Sequence, residues 1–293
     1  MTTAAVARAT RATRRPARSR SLKAWYRNGT LVAGLVIVGL LVLAAVLAPL
    51  LTPYDPIKQD LQNALLSPSA DHWLGTDKYG RDILTRLLYG ARVDLRIGFL
   101  AVLIPFVVGS VLGALAGYFG GWFDALMMRL ADVTIALLVL PLLILVSTLY
   151  RPPIWQLAVF IGLFSWPGVC RLIRGDVMSI KKREYIEAAR VIGANDARIL
   201  FRHIAPNILP IILVWASLAV PGFILLEAIL SYLGVGVRPP QPSWGIMLQE
   251  AKQFYRVDWP LIFIPGFAIY ITVLSLTLAG NGIRDALDVR NRR

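Results

Sequence analysis

The chain has 293 residues, of which 57% are hydrophobic and 16% are charged, and its mean hydropathy is +0.62. This composition is too apolar for a soluble globular protein of this length, so it excludes that class and indicates a polytopic membrane protein. The formal net charge of +14 does not indicate a nucleic-acid-binding protein, because much of the basic excess flanks apolar segments, where it faces anionic lipid headgroups.

The N-terminal segment, residues 1–28, carries eight basic residues and no acidic residue. Under the positive-inside rule this segment is predicted to lie in the cytoplasm. The first apolar run, residues 29–51, is longer than the core of a secretory signal and has no small-residue cleavage site after it. We therefore predict a retained first transmembrane helix.

Six apolar segments approach the roughly 20 residues that a helix needs to cross a bilayer. Leucine, valine and isoleucine dominate them without sustained polar alternation, which favours a helix bundle over a β-barrel. The predicted fold class is all-α, with six transmembrane helices and a cytoplasmic coupling loop. The predicted spans are residues 29–51, 95–117, 124–149, 154–172, 207–230 and 260–281.

The segments between the spans divide by charge. Residues 52–94 balance acidic and basic side chains and are predicted to be external, as are residues 231–259. The loop 173–206 and the tail 282–293 are rich in basic residues and are predicted to be cytoplasmic. Residues 95–281 form the predicted core of five helices.

The cytoplasmic loop is amphipathic at helical spacing around residues 185–192. Gly193 is predicted to end a first short helix, and Asn195 is placed to cap a second one. Such a knob suits docking to a soluble partner, whereas the alternative is a solvated loop with no partner. The candidate docking residues are Glu187, Ala188, Ala189, Arg190 and Gly193.

Two acidic residues lie in or beside predicted spans, where an unpaired charge is costly. Arg129 precedes Asp132 by one helical turn, so an ion pair within that helix is the preferred explanation of Asp132. Glu227 is predicted near the outer end of the fifth span. A role of Asp132 or Glu227 in a translocation path is the alternative.

The chain has neither a phosphate-binding Gly-x-x-x-x-Gly-Lys-Ser/Thr loop nor a catalytic zinc or serine motif. Cys170 is the single cysteine, and His72 and His203 are predicted on opposite sides of the membrane. We therefore predict no catalytic residue and no metal site. If the chain moves a solute uphill, the energy must come from a bound ATPase or from coupled ions.

Four stretches closely resemble the second permease subunit of the dipeptide/oligopeptide/nickel class of ABC importers. The resemblance covers the chain beyond about residue 28, and only Asn281 and Val289 depart slightly from the family pattern. The stretches are residues 72–82 (HWLGTDKYGRD, continuing to residue 92), 187–193 (EAARVIG) with 202–207 (RHIAPN), 227–234 (EAILSYLG) with 239–245 (PPQPSWG), and 282–288 (GIRDALD).

The resemblance implies a bacterial inner-membrane permease that works by alternating access, with a second homologous permease, two ATPase subunits and an external solute-binding protein as partners. ATP and Mg would then be bound by the ATPase subunits and not by this chain. Peptides are the expected cargo, with nickel chelates, glutathione or haem as alternatives. The expected external face for solute and binding protein includes Trp73, Tyr79, Arg81, Asp82 and Trp244.

Two other classes remain open at this point. A secondary transporter would use charges within the spans as ion sites, but such charges are scarce. The second class is a structural or signalling membrane scaffold, which would keep its function even if its pore were blocked. The aromatic residues outside the spans are compatible with two roles: a belt at the membrane interface, or the lining of a vestibule that receives solute.

Overall fold

The structure is helical, as the lack of alternating apolar and polar residues predicts. The computed structural model describes residues 28–150, 152–254, 256 and 258–291, so all but the last residue of the N-terminal segment 1–28 lies outside the described residues. Within those residues there is no strand, and a single isolated bridge joins Thr76 to Asp82. The all-α prediction is confirmed.

We number the helices of the described residues in chain order. A single turn of 3-10 helix, Leu61–Asn63, lies between α1 and α2. Short π-helical turns, Pro105–Gly109 and Ile199–Ile204, join α2 to α3 and α8 to α9. The helices are α1 Gly29–Leu51, α2 Ile83–Ile104, α3 Ser110–Phe119, α4 Gly121–Ala136, α5 Val139–Tyr150, α6 Ile154–Ile180, α7 Glu184–Val191, α8 Asp196–Arg198, α9 Ala205–Tyr232, α10 Trp244–Ala251 and α11 Pro260–Asn291.

Five helical stretches of the described residues are long and apolar enough to cross a membrane. A sixth span exists only if α4 and α5 together count as one, since they are bent by 76° relative to each other. The five are Gly29–Leu51, Ile83–Phe119, Ile154–Ile180, Asp196–Tyr232 and Pro260–Leu287.

The predicted span over residues 124–149 is not one regular helix, because the chain breaks at Leu137, whose ψ of 129° is extended. Pro141 supplies the physical reason. Proline has no N–H to bond to the carbonyl four residues earlier, which is that of Leu137, and its ring clashes with that carbonyl in a helix. The chain therefore leaves α4 at Leu137 and starts α5 at Val139.

The second span begins earlier than the hydropathy predicts, at Ile83 instead of residue 95. Its 37 residues would be about 55 Å long, well beyond a hydrocarbon core of about 30 Å. Residues 83–94, predicted to belong to an external segment, are therefore an extension of this helix. Their charged side chains pack against α1, α9 and α10 instead of facing solvent.

Helix α3 lies unusually close to α6. A Cβ atom at Gly117 would come within 2.7 Å of the carbonyl oxygen of Arg174, and one at Gly113 would lie 3.0 Å from the Cα atom of Cys170. Only glycine permits this approach of one helix backbone to another. The two helices therefore form one closely packed pair, while α1 packs mainly on α11, and α9 packs on α2, α10 and α11.

Candidate functional site

The predicted docking loop contains a glycine turn of the kind expected at a helix end. Gly193 has φ +86°, the left-handed conformation that favours glycine. Its N–H donates to the carbonyl of Arg190 at 2.9 Å, and the N–H of Ala194 donates to that of Ala189 at 3.0 Å. These two bonds define a Schellman motif, which satisfies the last carbonyls of α7. The predicted helix stop at Gly193 is confirmed.

The second short helix, α8, begins where the sequence predicts. The side chain of Asn195 accepts a hydrogen bond of 2.9 Å from the backbone N–H of Arg198, as an N-cap residue does. Ile186 of α7 is fully buried and belongs to an apolar cluster with Ile199 and Ile204. This cluster attaches the loop to the ends of α6 and α9, so the loop has a defined shape.

The tip of the loop is apolar and open. Val191 is 88% exposed and Ile192 is 85% exposed, and nothing in the described chain lies within 4 Å of a Cβ atom built at Gly193. Glu187, Ala188 and Arg190 are also exposed, whereas Ala189 is half-buried. An apolar tip rimmed by charges, with no cover from its own chain, is typical of a surface that packs against another protein.

Four charged side chains tie the segment before α2, and the start of α2 itself, to α10. Arg81 donates from Nε to Asp77 at 2.7 Å and from Nη2 to Glu250 at 2.6 Å. Arg86 donates from Nη2 to the same oxygen of Glu250 at 2.9 Å, and it is 1% exposed. Removing one member of such a buried group leaves a charge uncompensated, so the group specifies how this segment docks on α10.

Asp82 has a structural role in the same region. It is the N-cap residue of α2, accepting a hydrogen bond of 2.7 Å from the N–H of Thr85, and its other oxygen lies 3.0 Å from Nδ1 of His72. An N-cap acceptor and a favourable charge at the positive end of a helix both stabilise the first turn. Asp82 thus fixes where the second span starts.

The structure corrects part of the predicted external face. Arg81 is 2% exposed, Asp82 4% and Trp244 1%, so these three side chains are internal and do not offer a surface to a partner. Their charges and the indole N–H are already paired within the chain, which is the physical reason for their burial. Trp73, which is 71% exposed, and Tyr79, which is half-buried, remain available.

Trp244 lies at a junction of α2, α9 and α10. Its backbone N–H donates to Oδ2 of Asp94 at 3.0 Å, and its indole N–H donates to the carbonyl of Leu87 at 3.0 Å. Glu227 of α9 accepts a hydrogen bond of 2.5 Å from Ser231 and is fully buried. Glu227 lies near the end of its span, five residues before the end of α9, and its side chain belongs to this junction.

Two carboxyl oxygens at this junction, Oδ1 of Asp94 and Oε2 of Glu227, are buried without a hydrogen-bond partner in the described chain. No ion pair joins either carboxyl group to a basic residue in that part of the chain. An ionised carboxylate can only accept hydrogen bonds, whereas a protonated carboxyl group also donates one. The junction is a polar contact between three helices.

Asp132 is paired, but not with the residue that the sequence favours. Its partner is Arg171 of α6, which donates from Nη2, so the ion pair joins two helices. The predicted pairing with Arg129 in the same helix is wrong because α6 packs alongside α4 and brings Arg171 to Asp132. Arg174, one turn further along α6, pairs in the same way with Asp124. Two arginines of α6 thereby form ion pairs with acidic residues of α4.

Local sequence patterns do not indicate several of these contacts. Glu250 and Arg86 lie 164 residues apart, and Asp94 and Trp244 lie 150 apart, so local pattern does not predict either contact. A charged residue inside a long helix is the one available signal for Asp94. Among the described residues, no group of three metal-binding side chains comes together.

The fold defines a polytopic helical membrane protein with an exposed apolar loop tip between two of its spans. Residues 109–293 match the family model of the binding-protein-dependent transport system inner membrane component. Residues 19–68 match the model of the N-terminal transmembrane domain of oligopeptide transport permease C. The chain therefore belongs to the family of binding-protein-dependent transport system inner membrane components, which are permease components of ABC importers.

Three relatives align with this chain over most of their own lengths. The dipeptide transport system permease protein DppC of Bacillus subtilis (strain 168) is 39% identical over 284 residues, which cover 96% of this chain and 89% of the relative. The oligopeptide permease OppC of the same organism is 39% identical over 91% of this chain and 87% of the relative. The glutathione permease GsiD of Pectobacterium atrosepticum is 41% identical over 89% of this chain and 87% of the relative.

Proposed function

We propose that this chain is the C-type permease subunit of an ABC importer that carries peptides inward by alternating access. The observation that carries the proposal is the open apolar tip of the loop at Val191, Ile192 and Gly193. This surface docks an ATPase subunit. Two ATPase subunits bind ATP and Mg, and this chain performs no hydrolysis of its own.

The geometry of the tip supports transmission of force rather than loose attachment. Gly193 lies in a Schellman turn with two backbone hydrogen bonds, and Ile186 fastens α7 to the core. A rigid knob can carry closure of the ATPase dimer to the spans, because packed elements move as bodies between discrete arrangements. A flexible loop would absorb the motion instead.

The remaining partners follow from the transport class. A homologous permease forms a heterodimer with this chain, and an external solute-binding protein delivers the cargo on the side of Trp73 and Tyr79. Both termini lie in the bacterial cytoplasm, which requires that the bent pair α4–α5 crosses the membrane as one span. Asp132 joins α4 to α6 through its ion pair with Arg171, and Glu227 accepts a hydrogen bond from Ser231 of its own helix, so we assign neither residue to the solute path.

The cargo is a dipeptide or a longer oligopeptide. Relatives named as dipeptide and oligopeptide permeases support this assignment, and a glutathione permease of similar identity makes glutathione the first alternative to test. Selectivity among these solutes resides largely in the solute-binding protein.

The test is uptake by the complete complex in sealed vesicles, with the solute-binding protein outside and ATP inside. Radiolabelled dipeptide, pentapeptide, glutathione, nickel chelate and haem are compared, and peptide uptake is expected only with ATP and the binding protein together. The control adds ionophores that collapse ion gradients. Uptake that needs an ion gradient and continues without ATP would establish a secondary transporter and overturn the proposal.

A further inference from the structure

The end of the second span contacts the candidate docking loop through one buried tyrosine. Tyr118 of α3 is 2% exposed, and its hydroxyl donates to Oδ1 of Asp196 at 2.5 Å. Asp196 is the first residue of α8, immediately beyond the Gly193 turn. A hydroxyl that donates to a carboxylate makes one of the stronger hydrogen bonds in proteins.

The same tyrosine contacts two other parts of the loop. Lys181, at the end of α6, donates to the backbone carbonyl of Tyr118, and its Nζ lies 5.3 Å from the centroid of the ring. The guanidinium of Arg190 in α7 lies 5.8 Å from that centroid. Cations at this distance from an aromatic face are attracted to it. Tyr118 therefore contacts residues before, within and after α7.

The position of Tyr118 gives these contacts a mechanical consequence. It follows Gly117, where α3 and α6 approach so closely that a Cβ atom would collide with the backbone of α6. Movement of Asp196 is thus passed to a closely packed pair of helices and not to a single flexible side chain. The π-helical turn Pro105–Gly109 directly precedes α3 in the same span. Such departures from regular helix geometry are often found at functional sites.

We propose that Tyr118 is the positioning residue that couples the ATPase-docking loop to the second span through its hydrogen bond to Asp196. The inference rests on the proposed function, because it assumes that the loop receives the ATPase. The hydroxyl is the decisive group, since the ring would pack against Lys181 and Arg190 without it.

The variant that isolates the hydroxyl is Tyr118→Phe, which keeps the ring. Asp196→Ala removes the acceptor, whereas Asp196→Asn keeps an oxygen that accepts the bond and is the matched control. In the reconstituted complex, Tyr118→Phe and Asp196→Ala should each lower solute transported per ATP hydrolysed by about fivefold, a typical lower value for coupling between sites. Asp196→Asn should retain most of the coupling.

The double variant Tyr118→Phe/Asp196→Ala should be no worse than either single variant, because both remove the same bond. Thermal unfolding of each complex shows whether the proteins are folded to the same extent. An unchanged transport ratio in a folded Tyr118→Phe complex would overturn the inference, as would additive effects in the double variant. If the unmodified complex itself shows no ATP-driven uptake, the proposed function fails instead.

Discussion

Arg92 of α2 donates a hydrogen bond to the backbone carbonyl of Ala45 in α1. That carbonyl is the one that Pro49 leaves without a donor, because proline has no N–H to bond to the residue four positions earlier. Nη2 of Arg92 also donates to the carbonyl of Val46 at 2.6 Å. A charged residue on the second helix thereby completes the backbone hydrogen bonding of the first.

Replacement of Arg92 by leucine should destabilise the protein by about 1–3 kcal/mol, the cost of an unsatisfied buried carbonyl. The measurement is thermal or denaturant unfolding of the purified protein in detergent. The control is Pro49→Ala, which restores a backbone donor to Ala45. In that background the cost of Arg92→Leu should shrink, and an equal cost in both backgrounds would show that Arg92 acts in another way.

The buried hydrogen bond between Glu227 and Ser231 makes a second prediction about stability. Glu227→Gln should cost little, because the amide oxygen can still accept from Ser231. Glu227→Ala leaves buried polar atoms without partners and should cost about 1–3 kcal/mol in the free energy of unfolding. Equal stability of the two variants would mean that the hydrogen bond between Glu227 and Ser231 contributes nothing to the free energy of unfolding.

The two tryptophans of the predicted external face should behave differently. Trp244 is buried and bonded to Leu87, so Trp244→Ala should destabilise the protein by about 3–5 kcal/mol and reduce the amount inserted in the membrane. Trp73 is 71% exposed, so Trp73→Ala should leave unfolding unchanged and lower uptake driven by the solute-binding protein. Unchanged uptake would favour a role of Trp73 in the aromatic belt at the membrane interface.

Cysteine labelling tests the proposed orientation, and the native Cys170 gives little background because it is buried. Cysteines at Ser69 and Gln241, which are both exposed, should react with an impermeant thiol reagent added to intact cells. A cysteine at the exposed Ala197 in the loop should react only after the membrane is opened. Labelling of the Ala197 variant in intact cells would show that the loop lies outside, and it would contradict the proposed orientation.

The docking loop could be predicted from the sequence because its signals are local. A glycine after an amphipathic segment and an asparagine two positions later specify a helix stop and a helix start, and the structure has both. The tertiary contacts could not be predicted in this way. Arg81 and Glu250 lie 169 residues apart, and nothing near either one indicates the other.

Exposure was equally hard to predict outside the spans. An aromatic or charged residue between two hydrophobic runs is expected to face water. Trp244 and Arg81 are nevertheless buried, because the segments between the spans fold onto the ends of the helices. The partner of Asp132 was missed for a related reason. Helical spacing identifies neighbours within one helix, whereas Arg171 reaches Asp132 from another helix.

The most direct test of the docking assignment is the amount of solute taken up per ATP hydrolysed by a reconstituted complex that carries Gly193→Asp. Aspartate tolerates a positive φ better than most residues, and beyond residues 192–194 no atom of the described chain lies within 4 Å of the new Cβ, so this chain should still fold. Gly193→Asn is the neutral control of the same size. We expect Gly193→Asp to lower the ratio by at least about fivefold, and more than Gly193→Asn does. An inserted Gly193→Asp protein with normal ATP-driven uptake would contradict the assignment of this loop as the joint with the ATPase.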